Sequence, residues 1–263
     1  MAQAIPGAAA GGAGGLLHGH TVIITGAGQG NGAALAEGLA LQGAHVVATD
    51  VHGDAAEQTA QRILAAGGTA QWQALDVSDA AACDAAAAAF RLQPGHKLVL
   101  VNNAGIRPRH PFGGSERDKA WRDAMAVNVD GVRNMMLAFH ALLAASGGNV
   151  VNIGSISASR ASAGGISYST SKAAAEMLTR VMALEMAADG IRVNAVAPGI
   201  METPMTETSR NDPARREYLF RRIPLKRFGN PAELVGPVAF LASPLASYVT
   251  GTILNVDGGY LAV

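Results

Sequence analysis

The sequence contains a single cysteine, Cys83, and this scarcity excludes a disulfide within the chain. Cys83 lies in the alanine-rich stretch AACDAAAAAF, which carries no metal-ligand pattern, so we interpret it as a small helix residue and predict no metal site. One cysteine also fits a reducing compartment, and we expect a cytoplasmic protein. No apolar run reaches the roughly 18 residues of a membrane-spanning helix, so no membrane association is expected.

The sequence has no excess charge of either sign, because it contains 20 Lys and Arg and 20 Asp and Glu. This balance gives no reason to expect nucleic acid or an anionic membrane surface as a partner. Hydrophobic residues make up 49% and charged residues 15% of the 263 residues, which is enough for a large buried core. Residues 1–19 lack Lys and Arg and are rich in Ala and Gly, so we predict a flexible tail before one domain over residues 20–263.

Short apolar runs alternate with helical patterns along this domain. Strands are predicted in HTVIIT, HVVATD, TAQWQALDV, KLVLVNNAG, NVVNIGS, IRVNAVAPG and GTILNVDGG. Long helices are expected over Asp123–Ser146 and Tyr168–Asp189, and a long loop after the sixth strand. This α/β order predicts a single-domain, Rossmann-like, doubly wound sheet of about seven parallel strands with helices on both faces. Ligands of such sheets bind beyond the carboxyl ends of the strands.

A glycine-rich turn directly follows the first strand, with Gly26, Gly28, Gly30 and Gly32 after Thr25. Glycines let the backbone turn tightly and approach a pyrophosphate at a helix N-terminus. The strand before the turn and the helix after it make this a predicted dinucleotide site rather than a structural loop.

Asp50 ends the second strand, about 20 residues beyond the turn. A carboxylate there accepts hydrogen bonds from ribose hydroxyls and repels a 2′-phosphate. No Lys or Arg lies in the glycine turn or directly after Asp50. The sequence therefore favours NAD over NADP.

Tyr168 and Lys172 stand four residues apart, so they are neighbours on the predicted helix. An adjacent ammonium lowers the pKa of a phenol, and this predicts Tyr168 as a general acid or base. The apolar residues Ala174, Met177, Leu178, Val181 and Leu184 are predicted to bury the rest of the helix. Ser155 follows the fifth strand and can bind a substrate oxygen, and the amide of Asn128 in the long helix needs a buried partner.

These motifs resemble the compact form of the short-chain dehydrogenase/reductase family over residues 20–263. The resemblance rests on TGAGQGNG, Asp76–Val77, NNAG at Asn102–Gly105, Asn128, Ser155, YSTSK and PGIMET. One departure is Asn31, where the family usually has a branched apolar residue.

The resemblance implies that Tyr168 is the acid/base, that Lys172 lowers its pKa and holds the nicotinamide ribose, that Ser155 binds the reacting oxygen, and that Asn128 holds a water. It implies hydride transfer between a carbinol carbon and NAD. The implied cofactor-binding residues are Gly26, Gly28, Gln29, Gly30, Asn31, Gly32, Asp50, Val51, Asp76, Val77, Asn102, Asn103, Ala104, Gly105, Tyr168, Lys172, Pro198, Gly199, Ile200 and Thr203.

The substrate end is less defined. The stretch NNAGIRPRHPF resembles gluconate 5-dehydrogenase-type enzymes, so Arg109 is a candidate for binding a carboxylate or hydroxyls, with an ordinary surface arginine as the alternative. Ser155 and Met201 are further substrate candidates, and residues 202–223 are expected to form a lid. Further arginines are expected on a solvated helix face rather than on an acidic substrate: Arg215, Arg216, Arg221 and Arg222.

Three functions follow from these patterns. The first is an NAD-dependent dehydrogenase of a small secondary alcohol, polyol or sugar-like compound, which interconverts alcohol and ketone. The second is a 3-oxoacyl-thioester reductase, against which Asp50 counts. The third is a non-catalytic dinucleotide sensor, which the presence of Ser155, Tyr168 and Lys172 disfavours. The family resemblance also implies a homotetramer.

Overall fold

The structure is a computed structural model that describes residues 15–161 and 164–263. Its strands are β1 (His20–Thr25), β2 (His45–Asp50), β3 (Thr69–Ala74), β4 (Lys97–Asn102), β5 (Asn149–Ile153), β6 (Arg192–Pro198) and β7 (Ile253–Val256). Its α-helices are α1 (Gly30–Leu41), α2 (Gly53–Ala65), α3 (Ala80–Ala89), α4 (Arg117–Met125), α5 (Gly131–Ala138), α6 (His140–Ser146), α7 (Ile166–Glu185), α8 (Glu207–Asn211), α9 (Pro213–Arg222) and α10 (Val235–Ala242).

The strands form one sheet in the order β3-β2-β1-β4-β5-β6-β7, and every neighbouring pair is parallel. The predicted doubly wound parallel sheet is therefore confirmed. The chain crosses over between β3 and β4, so β1 and β4 are neighbours at the switch point. Ligand clefts of such sheets open at this point, beyond the carboxyl ends of the strands.

Two apolar cores lie on the two faces of the sheet. In β1, Val22 and Ile24 contribute to one core and Ile23 to the other, because successive strand side chains alternate in direction. Helices α1, α2 and α10 cover the first core, where Leu39 is fully buried. Helices α3, α5, α6 and α7 cover the second, where Leu143 is fully buried. With both faces covered, the strand ends are left as the place for a polar site.

The helix predicted over Asp123–Ser146 is divided in the structure. Helix α4 begins before the predicted start and leads into a π-helical segment, Ala126–Asp130, which α5 and α6 follow. Asn128 is fully buried in this segment, and its amide donates to the Ile106 carbonyl and to the Ser171 hydroxyl. A π-helical turn is a frequent device for placing one side chain at a functional site, and apolar spacing alone does not reveal it.

The long loop predicted after β6 is also wrong, because this segment forms α8 and α9. Asp212 caps α9 by accepting a hydrogen bond from the backbone amide of Arg215 at 3.1 Å. Leu219 and Ile223 anchor the helix by packing with Phe228 in a small separate cluster. The many charged residues of the segment hide this narrow apolar stripe in the sequence.

The predicted buried face of α7 is largely exposed. Met177 is 55% and Leu184 80% exposed, and Val181 is also exposed. The helix instead buries its small and polar residues Ser167, Ser171, Lys172, Ala175, Glu176, Thr179 and Ala183. The largest apolar residues of the helix were expected to face the core, but the buried face consists of small and polar residues.

Part of the predicted tail belongs to the packed domain. Leu17 is fully buried, and its backbone amide donates to the Gln42 carbonyl at 2.9 Å. The rest of the tail prediction, residues 1–14, lies outside the described residues. Among the residues that are described, no helix is both long and apolar enough to cross a membrane.

Candidate active site

A cavity of about 460 Å³ opens at the carboxyl ends of the strands. Most of the sequence-predicted site residues line it: Gly26, Gln29, Gly30, Asn31, Gly32, Asp50, Val51, Asp76, Val77, Asn103, Ala104, Gly105, Ser155, Tyr168, Lys172, Pro198, Gly199, Ile200, Met201 and Thr203. Gly28, Asn102, Arg109 and Asn128 do not line it. The fold thus brings residues from six strand ends and from α7 to one space.

The glycine turn between β1 and α1 is packed too tightly for side chains. A Cβ atom on Gly32 would lie 2.0 Å from the Gly26 carbonyl oxygen, and one on Gly26 would lie 2.8 Å from the Cα of Ala104. Gly26 also has φ of +64°. Gln29, the N-cap of α1, forms no side-chain cap bond, so the amides of the first turn remain available to an anion.

Asp50 is fixed at the end of β2 by two backbone amides. Its Oδ2 accepts from Gly28 N at 2.9 Å and its Oδ1 accepts from His52 N at 3.0 Å. Gly28 therefore takes part in the site through its backbone, although it does not line the cavity. The half-buried carboxylate faces the same cavity as the glycine turn.

The polar residues at the end of β4 have different tasks. The Asn103 side chain donates to the carbonyl oxygens of Thr25 and Gly26 at 2.9 and 3.0 Å and so holds the glycine turn to β4. Asn102, expected to line the cofactor, instead donates to Asn152 at 2.8 Å in the buried layer between β4 and β5. This expectation is corrected: the side chain of Asn102 joins strands.

The end of the cavity nearest β5 and α7 holds the predicted reacting groups. Ser155 lies just beyond β5, where its hydroxyl accepts from Ser157 N at 3.1 Å. Tyr168 lies in the first turn of α7, and Lys172 lies one turn later with its Nζ donating to the Ile153 carbonyl at 2.8 Å. Both side chains line the cavity with Ser155.

The pKa of Tyr168 is raised, because the phenol is buried; the Ser155 hydroxyl and the Arg107 guanidinium act in the opposite direction. The sequence-based expectation of a lowered pKa through Lys172 has the wrong direction here. Burial lowers the pKa of the Lys172 ammonium to about 8, and the charge of Glu176 opposes this lowering. The cation stacked on the phenol is Arg107, whose Cζ lies 5.4 Å from the ring centroid.

Glu176 is a site neighbour that the sequence reasoning missed. It is 5% exposed and lies one helical turn after Lys172. Its Oε1 would be 2.7 Å from a Cβ on Gly154, and it faces the Ser155 amide at 3.4 Å. Burial raises the pKa of this carboxyl, and the Ser155 amide opposes the rise. The sequence signal for Glu176 was its i, i+4 spacing to Lys172, which makes the two residues neighbours on a helix.

The arginines are placed differently from the expectation. Arg109 donates to the Ser209 hydroxyl at 2.9 Å rather than lining the cavity. Arg215 is exposed on α9, as expected for a solvated helix face, and it also lines the cavity. Arg107, Arg160 and Tyr260 also line the cavity. They come from separate segments, so no local pattern connects them.

The residues present fit a dinucleotide. The glycine turn has no room for Cβ atoms, its helix amides are open, and Asp50 stands where a ribose would lie. At the Tyr168 end of the same cavity, the nicotinamide ring would lie beside the phenol as a proton donor. Over residues 15–161 and 164–263, no group of at least three His, Cys, Asp or Glu side chains is arranged to hold a metal ion.

Comparison with known proteins identifies the family. The family model described as "Enoyl-(Acyl carrier protein) reductase" matches residues 26–261. The chain is 42% identical over 248 residues to galactitol 2-dehydrogenase (L-tagatose-forming) of Cereibacter sphaeroides, covering 93% of this chain and 96% of the relative. It is 37% identical over 246 residues to 5-keto-D-gluconate 5-reductase of Escherichia coli, covering 93% and 96%.

A solved structure is similar over nearly the whole fold. The gluconate 5-dehydrogenase of Burkholderia cenocepacia, in complex with NADP and tartrate, superposes with a TM-score of 0.88 at 37% identity, covering 94% of this chain and 97% of that one. The family model and these relatives each cover most of the chain. The chain therefore belongs to the short-chain dehydrogenase/reductase family, as an oxidoreductase that acts on CH–OH groups with a nicotinamide dinucleotide.

Proposed function

We propose that the protein is an NAD-dependent dehydrogenase that interconverts a small secondary alcohol, of the polyol or sugar-like class, and its ketone. The observation that carries this proposal is the single cavity shared by Ser155, Tyr168 and Lys172 at one end and Asp50 at the other. Similarity to the galactitol and keto-gluconate enzymes supports the substrate class.

In this proposal Tyr168 moves the proton. Its raised pKa keeps the phenol protonated at neutral pH, so Tyr168 can donate to a carbonyl oxygen during reduction. In oxidation it must first lose its proton and then accept one from the alcohol. When bound, the nicotinamide supplies or accepts the hydride at the carbinol carbon. We therefore expect ketone reduction to be favoured near neutral pH and alcohol oxidation to rise towards alkaline pH.

The other residues position the reacting oxygen and the tyrosine. Ser155 donates a hydrogen bond to the substrate oxygen. Lys172, held by the Ile153 carbonyl, supplies an ammonium one helical turn after Tyr168 and a donor for the nicotinamide ribose. Asn128 holds the π-helical segment against Ile106, and we assign it the water of the proton relay. These roles extend the family resemblance to this chain.

The preference for NAD rests on Asp50. Its carboxylate is fixed by the amides of Gly28 and His52, so it cannot swing away from a 2′-phosphate without losing both hydrogen bonds. The Burkholderia relative has NADP bound, which makes the cofactor choice of this chain a direct test of Asp50. The remaining cofactor contacts are assigned as the resemblance implies, with Asp76 and Val77 on the adenine and Thr203 at the nicotinamide end.

We also propose a homotetramer in the cytoplasm. The exposed apolar residues Met177, Val181 and Leu184 form a stripe along α7 that a neighbouring subunit would cover. The cytoplasmic location rests on the single cysteine of the sequence. Sedimentation analysis tests the assembly, and a monomer at micromolar concentration would contradict it.

A turnover screen tests the proposed function. Nicotinamide absorbance is followed with NAD or NADP against polyols, sugar acids, simple secondary alcohols and 3-oxoacyl thioesters. Tyr168→Phe should reduce kcat by at least about 100-fold, the usual share of a general acid/base. The matched control is Tyr248→Phe, because Tyr248 is fully exposed and lies outside the cavity.

The screen also separates the alternatives. Turnover of 3-oxoacyl thioesters alone, with NADPH, would establish the 3-oxoacyl-thioester reductase instead. Dinucleotide binding without turnover of any substrate would establish a sensor. Tyr168→Phe with unchanged kcat would refute the mechanism.

A further inference from the structure

The substrate end of the cavity is cationic. Arg107, Arg160 and Arg215 line it, whereas the only acidic residues among the described lining residues are Asp50 and Asp76, beyond β2 and β3. The β2 and β5 strands are three positions apart in the sheet, so about 14 Å separates Asp50 from the Ser155 end. The two acidic groups therefore belong to the other end.

Arg107 is the arginine nearest to the reacting groups. Its guanidinium lies over the Tyr168 ring at 5.4 Å, and the side chain is half-buried. Burial and the positive charges of Arg109 and Arg215 lower its pKa. Within the described parts of the chain, no Asp or Glu side chain pairs with Arg107 or Arg215. These two like charges therefore lack an acidic side chain as counter-ion.

Helix α9 holds Arg215 in place. Leu219, one turn later, also lines the cavity and is 3% exposed in the small cluster that anchors the helix. The Arg215 guanidinium stacks on the Tyr218 ring at 5.1 Å, which limits its freedom. The backbone position of Arg215 is therefore set by the anchored helix, and its exposed side chain is guided by the Tyr218 ring.

Tyr260 joins the cluster from the other side. Its pKa is raised mainly by burial, and the nearby charges of Arg160 and Arg215 oppose that rise. Arg160 donates to the Val263 carbonyl at 3.1 Å, and Arg222 stacks on the Tyr260 ring at 5.3 Å. The Tyr260 hydroxyl and the guanidinium groups of Arg160 and Arg215 therefore lie near one another along the cavity.

We propose that the substrate is a compact anion whose carboxylate binds Arg107 and Arg215, with its reacting C–OH or C=O at Tyr168 and Ser155. Guanidinium groups bind carboxylates through paired hydrogen bonds, and an anion relieves the repulsion between the arginines. The inference rests on the proposed dehydrogenase function and narrows it from polyols in general to hydroxy acids such as aldonic acids. Tyr260 adds a hydroxyl for the same group or its neighbour.

The test compares each polyol with the aldonic acid of the same configuration, which differs only in a carboxylate in place of a CH2OH group. The readout is the ratio of kcat/KM for acid to kcat/KM for polyol. Arg107→Gln or Arg215→Gln should lower this ratio about 10- to 100-fold, the loss of one charge-assisted hydrogen bond. Arg216→Gln is the matched control, because Arg216 lies on the same helix, is exposed and does not line the cavity.

A binding measurement keeps the inference testable without turnover. Tartrate should raise the melting temperature of the wild type with bound dinucleotide and of Arg216→Gln, and less so that of Arg215→Gln. Equal acid-to-polyol ratios in wild type, Arg215→Gln and Arg216→Gln, or equal tartrate shifts, would overturn the anion site. A higher kcat/KM for a phosphorylated polyol than for the acid would overturn the carboxylate assignment. If the wild type gives no Tyr168-dependent turnover of any substrate but tartrate still raises its melting temperature, the proposed function is refuted instead.

Discussion

Asp50→Asn is the most informative single substitution for the cofactor. The carboxylate lies at the end of β2 and accepts hydrogen bonds from the amides of Gly28 and His52. An amide side chain keeps the shape and one acceptor oxygen but removes the charge. We therefore expect the preference for NAD over NADP to fall, while NAD binding also weakens because one backbone amide loses its acceptor.

The size of the change follows from the charges. Two unit charges about 5 Å apart interact with roughly 1 kcal/mol in water and roughly 3 kcal/mol at the lower effective dielectric of a protein surface. Removing the Asp50 charge should therefore lower the NAD-to-NADP ratio of kcat/KM by roughly five- to 150-fold. A higher salt concentration should reduce the difference between wild type and variant, because the carboxylate is only half-buried.

The assay measures kcat/KM with each cofactor and, separately, dissociation constants from the fluorescence of NADH and NADPH. Asp54→Asn is the matched control, since Asp54 is exposed in the first turn of α2 and does not line the cavity. A wild type that prefers NADP, or the same ratio for Asp50→Asn and Asp54→Asn, would contradict the role of Asp50.

Two further predictions concern stability. Gly32→Ala should lower the free energy of unfolding by about 1–3 kcal/mol and weaken NADH binding, because the new Cβ would lie 2.0 Å from the Gly26 carbonyl oxygen. Gly236→Ala is the control and should not be destabilising, because the space around Gly236 is open. Equal chemical-denaturation midpoints for the two variants would contradict this prediction. Burial lowers the pKa of His20 and His45, so the unfolded chain binds more protons below pH 6.5, and stability present above that pH is lost as the pH falls. Melting temperatures between pH 5 and 8 should show this loss, and His45→Gln should make it smaller; a pH-independent melting temperature would contradict the assignment.

The sequence was most informative where local backbone geometry decides the outcome. The glycine turn, the alternation of strands and helices and the i, i+4 spacing of Tyr168 and Lys172 need only neighbours in sequence. They were sufficient for the parallel sheet, and the structure places the glycine turn and the Tyr168–Lys172 pair at one cavity. Asp50 belongs to the same class, because the end of a strand is predictable from its apolar run.

Sequence reasoning was wrong where burial depends on packing between elements. The stripe of α7 with Met177 and Leu184 was expected inside, but the helix turns its short and polar face to the sheet. This orientation buries Glu176 beside Ser155 and leaves the apolar stripe outside. The side chains of α7 are compatible with either orientation of the helix, and only the fit between helix and sheet selects one.

The sequence by itself thus determined the fold, the dinucleotide turn and the Tyr168–Lys172 pair, because each follows from periodicity within one segment. The tertiary structure alone decided that Arg107 stacks on Tyr168 and that Arg215 faces the same cavity. These two residues are more than 100 positions apart in the sequence, and their meeting depends on how the apolar cluster around Leu219 orients α9. The physical reason is that long-range contacts are set by packing of distant elements, which no local spacing encodes.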